Sequence, residues 1–174
     1  GKIQSLRSQG DQKVVSIGLT ATSTDNHLVL VFDNVDKDTS FELVPIQLPS
    51  RATEDVKVSV TLNPALIGDY NGLNGTVHDV APDNIYTILN PADTSGYIVT
   101  IPKGSYTGYL SLKINPRSFL GNDYAIGFQI SKVPAGYLIS SNLGSGITAV
   151  AIKNDWDGVY SYKGYSLRAG DATL

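Results

Sequence analysis

The residues best suited to contact a ligand lie near the end of the chain. The stretch WDGVYSYKGY, from Trp156 to Tyr165, contains the single tryptophan and three of the ten tyrosines. In an extended strand, Trp156, Tyr160 and Tyr162 would share one face, because strand side chains alternate with a period of two. Sugar rings present apolar C–H faces on which an exposed aromatic ring can stack. These three residues, together with Tyr109 on an upstream strand, are therefore the candidate ligand-binding residues.

The same aromatic face has a second interpretation, in which it packs against other strands. A polar break at Lys153, Asn154 and Asp155 precedes it. We therefore predict one domain at residues 1–155 and a C-terminal segment at 156–174 that is the first strand of a second, truncated β-rich module. Without partner strands of its own, the segment would pair with an edge of the first domain, pair with a neighbouring molecule, or stay mobile.

Acid–base chemistry has few candidates in this sequence. The two histidines are His27, beside a predicted turn, and His78, in a predicted loop. A serine nucleophile is not indicated, because no G-x-S-x-G pattern occurs, and a cysteine nucleophile is excluded because the chain has no cysteine. Both histidines are therefore predicted to be solvated loop residues.

The acidic residues offer one alternative chemistry, since two carboxylates that met in space could hydrolyse a glycoside. Aspartate also favours turns for its own local hydrogen bonds. The Asp36-Lys37-Asp38 run lacks the glycine and the distal glutamate of a dedicated calcium loop, although loop oxygens elsewhere leave calcium open. We predict no enzyme activity, no cofactor and no metal site, with a glycoside hydrolase or other carbohydrate-active enzyme that uses loop carboxylates as the alternative. The acids placed in turns or loops are Asp25, Asp36, Asp38, Asp69, Asp83, Asp93 and Asp123.

The composition excludes several classes of protein. Thirteen basic and sixteen acidic residues give a net charge of −3 with no basic cluster, which argues against a nucleic-acid partner. Every apolar run falls short of the roughly 20 residues that span a bilayer. A length of 174 residues suits one domain with a substantial core, or one domain plus a fragment.

The elements that would position the candidate residues are β-strands. In Val56–Leu62, and again at 109–114 and 124–130, apolar residues alternate with small or polar ones, as in a half-buried strand. The run Leu28–Phe32 is apolar on both faces and is expected in the middle of a sandwich. Polar or glycine-bearing turns separate the strands, so the sequence predicts an all-β fold, an antiparallel β-sandwich of about seven to nine strands. Further strands are predicted at 15–21, 40–48, 97–101 and 148–152.

One segment departs from the two-residue period. Asn63 is suited to cap a helix, Pro64 is suited to the first helical position, and a stop is expected near Asn71 and Gly72. The sequence therefore predicts one short crossover helix near residues 63–70, of two turns or fewer.

Several phrases occur in an order that resembles a known family. They are ATED at 52–55 before the strand at 56–60, DYN at 69–71, YTIL at 86–89, VTIPKG at 99–104 and YAI at 124–126. Over residues 13–154 the chain resembles the immunoglobulin-like domain of unknown function found at the N-terminus of many Bacteroidetes surface lipoproteins. In VTIPKG, proline ends strand pairing and glycine turns the backbone before the next strand begins at Thr107.

The resemblance implies an immunoglobulin-like sandwich, export, and display at the cell surface or outer membrane, with the periplasmic face as an alternative. The membrane would be a partner only through a lipid anchor on a cysteine that this chain lacks. The resemblance implies no catalytic residues. We therefore expect a non-catalytic surface module linked to polysaccharide utilisation, either a spacer or an accessory domain for adhesion or glycan binding. Its expected partners are a glycan or another surface protein, and a downstream β-rich module of the same protein.

Overall fold

The computed structural model describes residues 13–18 and 26–153. These residues form twelve strands, one α-helix and two 3₁₀ helices. The α-helix α1 is Ala65–Asn74, and the 3₁₀ helices are Asp83–Ile85 and Pro116–Phe119. The strands are β1 Val14–Ile17, β2 His27–Phe32, β3 Thr39–Gln47, β4 Val56–Leu62, β5 Asp79–Val80, β6 Tyr86–Ile88, β7 Ala92–Asp93, β8 Gly96–Ile101, β9 Thr107–Ile114, β10 Tyr124–Lys132, β11 Leu138–Ile139 and β12 Ser145–Ile152.

Two sheets pack face to face, which confirms the predicted all-β sandwich. The smaller sheet has the order β11-β1-β3-β9-β6, and the larger has the order β2-β12-β10-β4-β8-β7, with β5 beside β10. The main core lies between them and takes every second side chain of the central strands, because strand side chains alternate between faces. On β4 and β9 these are Val56, Val58, Val60, Leu110, Leu112 and Ile114, all at most 2% exposed.

Most strand pairs are antiparallel, but three are parallel. These are β1 with β11, β5 with β10, and β2 with β12. The β2–β12 pair runs over six residues, from His27 opposite Ile147 to Phe32 opposite Ile152. The strands β5, β7 and β11 were not predicted, because two residues are too few to show an alternation in sequence.

A helix on the outer face of the larger sheet explains why β2 is apolar on both sides. Leu28 and Phe32 point into the main core, whereas Val29 and Val31 pack in a second cluster with Ile67 of α1. In the described part of the chain β2 pairs with β12 alone and ends the sheet order. The predicted middle position was therefore wrong, since the two-sided burial comes from the helix and not from a flanking strand.

Helix α1 is longer than predicted. It covers ten residues and ends at Asn74, and the next residue, Gly75, has a φ of 67°, a left-handed conformation that favours glycine as a C-cap. The expected stop near Gly72 came too early, because the helix accommodates that glycine on its exposed side. At the other end, the Asn63 side-chain oxygen accepts a hydrogen bond from the Ala65 amide at 3.2 Å, which agrees with its predicted capping role.

The VTIPKG phrase forms the predicted turn. Strand β8 ends at Ile101, the Ser105 amide donates to the Pro102 carbonyl at 2.9 Å, and β9 begins at Thr107. Gly104 has a φ of 85°, which explains the glycine. Within residues 13–18 and 26–153, no helix combines the length and the apolar character of a membrane span.

Candidate functional site

Of the four predicted ligand-binding residues, Trp156, Tyr160 and Tyr162 lie outside the described residues. The fourth, Tyr109, lies on β9 and is 41% exposed, on the outer face that its parity predicted. Its carbonyl accepts a hydrogen bond from the Asn90 side chain at 2.9 Å, and the same amide donates to a carbonyl of β8 at 3.0 Å. Asn90 therefore joins the two sheets beneath Tyr109 and holds the tyrosine backbone in place.

Tyr109 shares its exposed face with Leu89. The Leu89 amide donates to the Ser111 carbonyl at 2.8 Å, which extends the β6–β9 pairing and places Leu89 on the face of Ser111 and Tyr109. Leu89 is 47% exposed. The two side chains form a small apolar patch with the character needed to contact the C–H face of a sugar ring or an apolar protein side chain.

Both histidines are buried, so the prediction of solvated loop positions was wrong. His27 begins β2 and is 5% exposed, and His78 precedes β5 and is 4% exposed. The His27 ring stacks on Tyr70 of α1 with a centroid separation of 4.5 Å, and the His78 ring lies 5.3 Å from the His27 ring. The Nδ1 atom of His78 lies 2.6 Å from Oδ1 of Asp123. We call His27, Tyr70, His78 and Asp123 the histidine cluster.

The backbone around His78 is held by Asn71, near the end of α1. The Asn71 amide group donates to the His78 carbonyl at 2.8 Å, and its side-chain oxygen accepts from the His78 amide at 3.0 Å. The Thr76 hydroxyl donates to the same oxygen at 2.9 Å. The Asp79 amide donates to the Asp123 carbonyl at 2.8 Å, where β5 meets β10. These bonds hold α1 and the loop that follows it against the larger sheet.

The enclosure of the histidine cluster decides what it can do chemically. A histidine hydrogen-bonded to a carboxylate is a common acid–base pair, but a general base must come within hydrogen-bond reach of its substrate. The His78 side chain is 0% exposed, and that of Asp123 is 31% exposed. The His78 side chain therefore does not reach solvent, and the pair links the residue before β5 to the residue before β10. No local pattern in the sequence indicates this contact between residues 45 positions apart.

Several acidic residues support local structure rather than a shared site. The Asp93 carboxylate accepts from the Ser95 amide at 2.7 Å, and that of Asp36 accepts from the Asn115 side chain at 2.7 Å. Asp69 lies inside α1 and not in a loop. In the described part of the chain, no three histidine, cysteine or acidic side chains are grouped so that they could hold a metal ion.

A groove of about 330 Å³ beside the start of α1 brings together an aromatic ring and a carboxylate. Its lining includes Pro64, Pro82, Asp83 and Tyr86, and the rest is largely apolar. Burial, followed by the nearby charge of Asp83, raises the pKa of Tyr86 above its ordinary value, with a smaller contribution from Tyr97. Sequence reasoning missed this groove, because nothing local indicates that a turn residue and a strand residue would face α1.

Comparisons with known proteins cover most of the chain. A family model described as an N-terminal domain matches residues 10–136. None of the curated proteins matches.

Solved structures from Bacteroides share the fold at low sequence identity. A Bacteroides ovatus protein of unknown function is 14% identical with a TM-score of 0.62, over 82% of this chain and 48% of that one. A candidate carbohydrate-binding protein of Bacteroides ovatus is 16% identical with a TM-score of 0.55, over 78% of this chain and 36% of the other. EndoBT-3987 of Bacteroides thetaiotamicron, solved with a Man5GlcNAc product, is 18% identical with a TM-score of 0.58, over 79% and 30%. The chain thus spans less than half of each of these structures.

Proposed function

The chain belongs to the family of N-terminal domains whose model matches residues 10–136, and from this premise we propose that it is a non-catalytic, glycan-binding accessory module of a longer surface protein. Its membership confirms the resemblance to an N-terminal domain that the sequence indicated. The chain spans less than half of each of the three solved structures described above. What a longer protein that contains this domain would do is therefore also part of the proposal.

The enclosure of the histidine–carboxylate pair is the observation that carries the non-catalytic part. Both described histidines are occupied in holding α1 to the sheet, and His78 has no exposed side-chain surface. A hydrolase needs an acid and a base that reach the scissile bond from an open cleft. EndoBT-3987 was solved with a product sugar, but this chain covers only 30% of it at 18% identity, so the likeness in fold does not bring catalysis to this domain.

Two surface features support the glycan part. The Tyr109–Leu89 patch offers an exposed ring on a rigid strand, and the groove at Tyr86 places a second ring beside a carboxylate. Rings that contact sugar C–H faces and carboxylates that accept hydroxyl donors are the groups that sugar recognition uses. The carbohydrate-related names of two solved relatives agree with this proposal.

Location and partners follow from the same proposal. We place the protein at the cell surface or outer membrane as an exported lipoprotein, with its anchor outside this chain. The partner would be a glycan or another surface protein, and residues 156–174 would lead into a β-rich module that contributes Trp156, Tyr160 and Tyr162 to recognition. A spacer without a ligand of its own is the simplest competing function.

One experiment separates binding from hydrolysis. The 174-residue chain is applied to a panel of neutral and acidic glycans, and the same preparation is incubated with those glycans while newly formed reducing ends are measured. We expect binding without release of sugars. Release of reducing ends above a buffer control would contradict the non-catalytic assignment, and absence of binding across the panel would favour the spacer.

A matched pair of tyrosine variants tests the contact residue. Tyr109→Ala removes the ring of the patch, whereas Tyr106→Ala removes a ring of similar exposure, 48% against 41%, that lies beside Arg51 instead. We expect weaker glycan binding for Tyr109→Ala alone. Equal binding by both variants would show that Tyr109 is not a glycan contact.

A further inference from the structure

A second groove, of about 390 Å³, lies on the outer face of the larger sheet. Side chains from three adjacent strands line it: Lys57 and Ser59 on β4, Thr100 and Ile98 on β8, and Lys132 on β10. We infer that this groove binds an acidic sugar residue, one that carries a carboxylate or a sulfate group. The inference rests on the proposed glycan function and specifies the chemical class of the ligand.

A β-bulge places one of the two lysines in the groove. Opposite residues of an antiparallel pair lie on the same face, and Ile130 opposes Val60 on the core side. Continued in register, Lys132 would oppose Val58 and also face the core. The pairing instead shifts after Ile130, so that Lys132 opposes Ser59 on the outer face. Bulges often change the face on which a side chain lies next to a functional site, and here the bulge places the positive charge of Lys132 at the groove.

The second lysine lies close to the first, and neither is neutralised. Lys57 is two residues from Ser59 on the same face of β4, which makes it a diagonal neighbour of Lys132 at a typical distance of about 7–8 Å between Cα atoms. The ion pairs within residues 13–18 and 26–153 involve neither ammonium group. Two unpaired ammonium groups on flexible stems can converge on one anion, which also relieves their mutual repulsion.

The remaining walls suit the body of a sugar ring. Ser59 lines the groove opposite Lys132 and two residues from Lys57, and although it is only 5% exposed its hydroxyl is a donor suited to an anionic oxygen. Ile98 and Val133 provide apolar surface for ring C–H groups. Asp93, on the rim opposite the lysines, would repel the acid group of the sugar but accept hydrogen bonds from its hydroxyls. Asp93 would therefore favour the orientation in which the acid group of the sugar faces the lysines.

The groove has the size of a small-ligand site. Its volume lies near the lower end of the roughly 300–1,000 Å³ that is usual for ligand pockets, which suits one or two sugar residues of a longer chain. Because the protein as a whole is acidic, with a net charge of −3, attraction to an acidic glycan has to be local to this groove. Salt should therefore weaken the binding.

The test compares acidic and neutral probes on the 174-residue chain by isothermal titration calorimetry. The probes are a galacturonate tetrasaccharide, its carboxyl-reduced neutral counterpart and a sulfated galactan tetrasaccharide. We expect at least one acidic probe to bind more tightly than the neutral one. Lys57→Gln and Lys132→Gln should each weaken that binding by about two- to fivefold, and independent effects would give the double variant a loss of about four- to twenty-five-fold.

Lys113→Gln is the matched control, because Lys113 is an exposed strand lysine on the other sheet, opposite Ser40. It should leave the affinity unchanged. Equal affinity for acidic and neutral probes, or acidic binding that the two groove variants do not alter, would overturn the inference and leave glycan binding itself standing. Failure of both acidic probes to bind at millimolar concentration would also overturn it, whereas binding of the chain to any other glycan of the panel would leave the proposed function standing.

Discussion

Removal of the His78 side chain tests whether the histidine cluster holds α1 to the sheet. His78→Ala deletes the 2.6 Å contact with Asp123 and the ring contact with His27 at 5.3 Å. A hydrogen bond to a charged group contributes about 1.5–3 kcal/mol, and an aromatic contact contributes about 0.5–1.5 kcal/mol. We expect the free energy of unfolding to fall by about 2–4 kcal/mol, which for a domain of this size lowers Tm by roughly 4–16 °C.

The measurement is urea unfolding of the wild type, His78→Ala, Asp123→Ala and the double variant. Contacting residues couple, so the double variant should lose less stability than the two single losses added together, by about 1–3 kcal/mol. Asp36→Ala is the control, since its carboxylate accepts an exposed side-chain hydrogen bond of 2.7 Å and should cost within about 0.5 kcal/mol. Amide exchange should also accelerate in α1 first, because the cluster is what attaches the helix.

Strictly additive losses, or a loss below about 1 kcal/mol for His78→Ala, would refute this reasoning. The first result would mean that His78 and Asp123 do not stabilise one another. The second would mean that the apolar contacts of α1, such as those of Ile67, and the Asn71 hydrogen bonds hold the helix without the His78 side chain.

Three further predictions concern the same region of the fold. Gly127→Ala should lower the free energy of unfolding by about 1–3 kcal/mol or more in thermal unfolding, since its Cβ would collide with a backbone carbonyl at the start of α1. Gly68→Ala is the control, because its Cβ on the exposed side of α1 meets nothing and should raise the free energy of unfolding by up to about 1 kcal/mol. Equal effects of the two variants would contradict the close approach at Gly127. Asn71→Ala should lower the free energy of unfolding in urea by about 1–3 kcal/mol because it removes both hydrogen bonds to the His78 backbone. An unchanged free energy of unfolding would mean that other contacts hold the loop around His78. Asp83→Asn should lower the pKa of Tyr86 in a phenolate absorbance titration, but not to its ordinary value of 10.0, because burial is the larger cause. An unchanged pKa would show that the Asp83 carboxylate does not act on the Tyr86 hydroxyl. Since the folded pKa of Tyr86 is raised, its stabilising contribution is present below pH 10 and is lost as the pH rises through the folded value.

The half-buried strands were predictable because their apolar and polar residues alternate in the sequence. In β4 and β9 one face meets the core and the other meets water, so a period of two appears directly. The same alternation placed Tyr109 on the outer face, where the structure has it. Local turn chemistry likewise predicted the end of β8 at Ile101.

The candidate sites depended on contacts that no local pattern encodes. His78 and Asp123 are 45 positions apart, so each looked like a polar loop residue when read alone. The burial of His27 follows from α1 lying across the outer face of the sheet, which is a tertiary event. The bulge after Ile130 was also not predictable from the sequence. The alternation of β10 alone would place Lys132 on the core side, and only the pairing with β4 shows the shift in register.

The parallel pairing of β2 with β12 constrains the order in which the domain can fold. The Asn26 side chain donates to the Ser145 carbonyl, 119 positions along the chain, where this pair begins. During synthesis β2 emerges early, and its partner emerges only after the nine strands that lie between them in the described part of the chain. Until then the edge of β2 that pairs with β12 is unpaired, although its outer face can already pack on Ile67 of α1, so the nascent domain exposes an edge that needs protection. Closing so long a loop makes folding slow for a domain of this size, on the order of milliseconds to seconds, and dependent on the last strand to arrive.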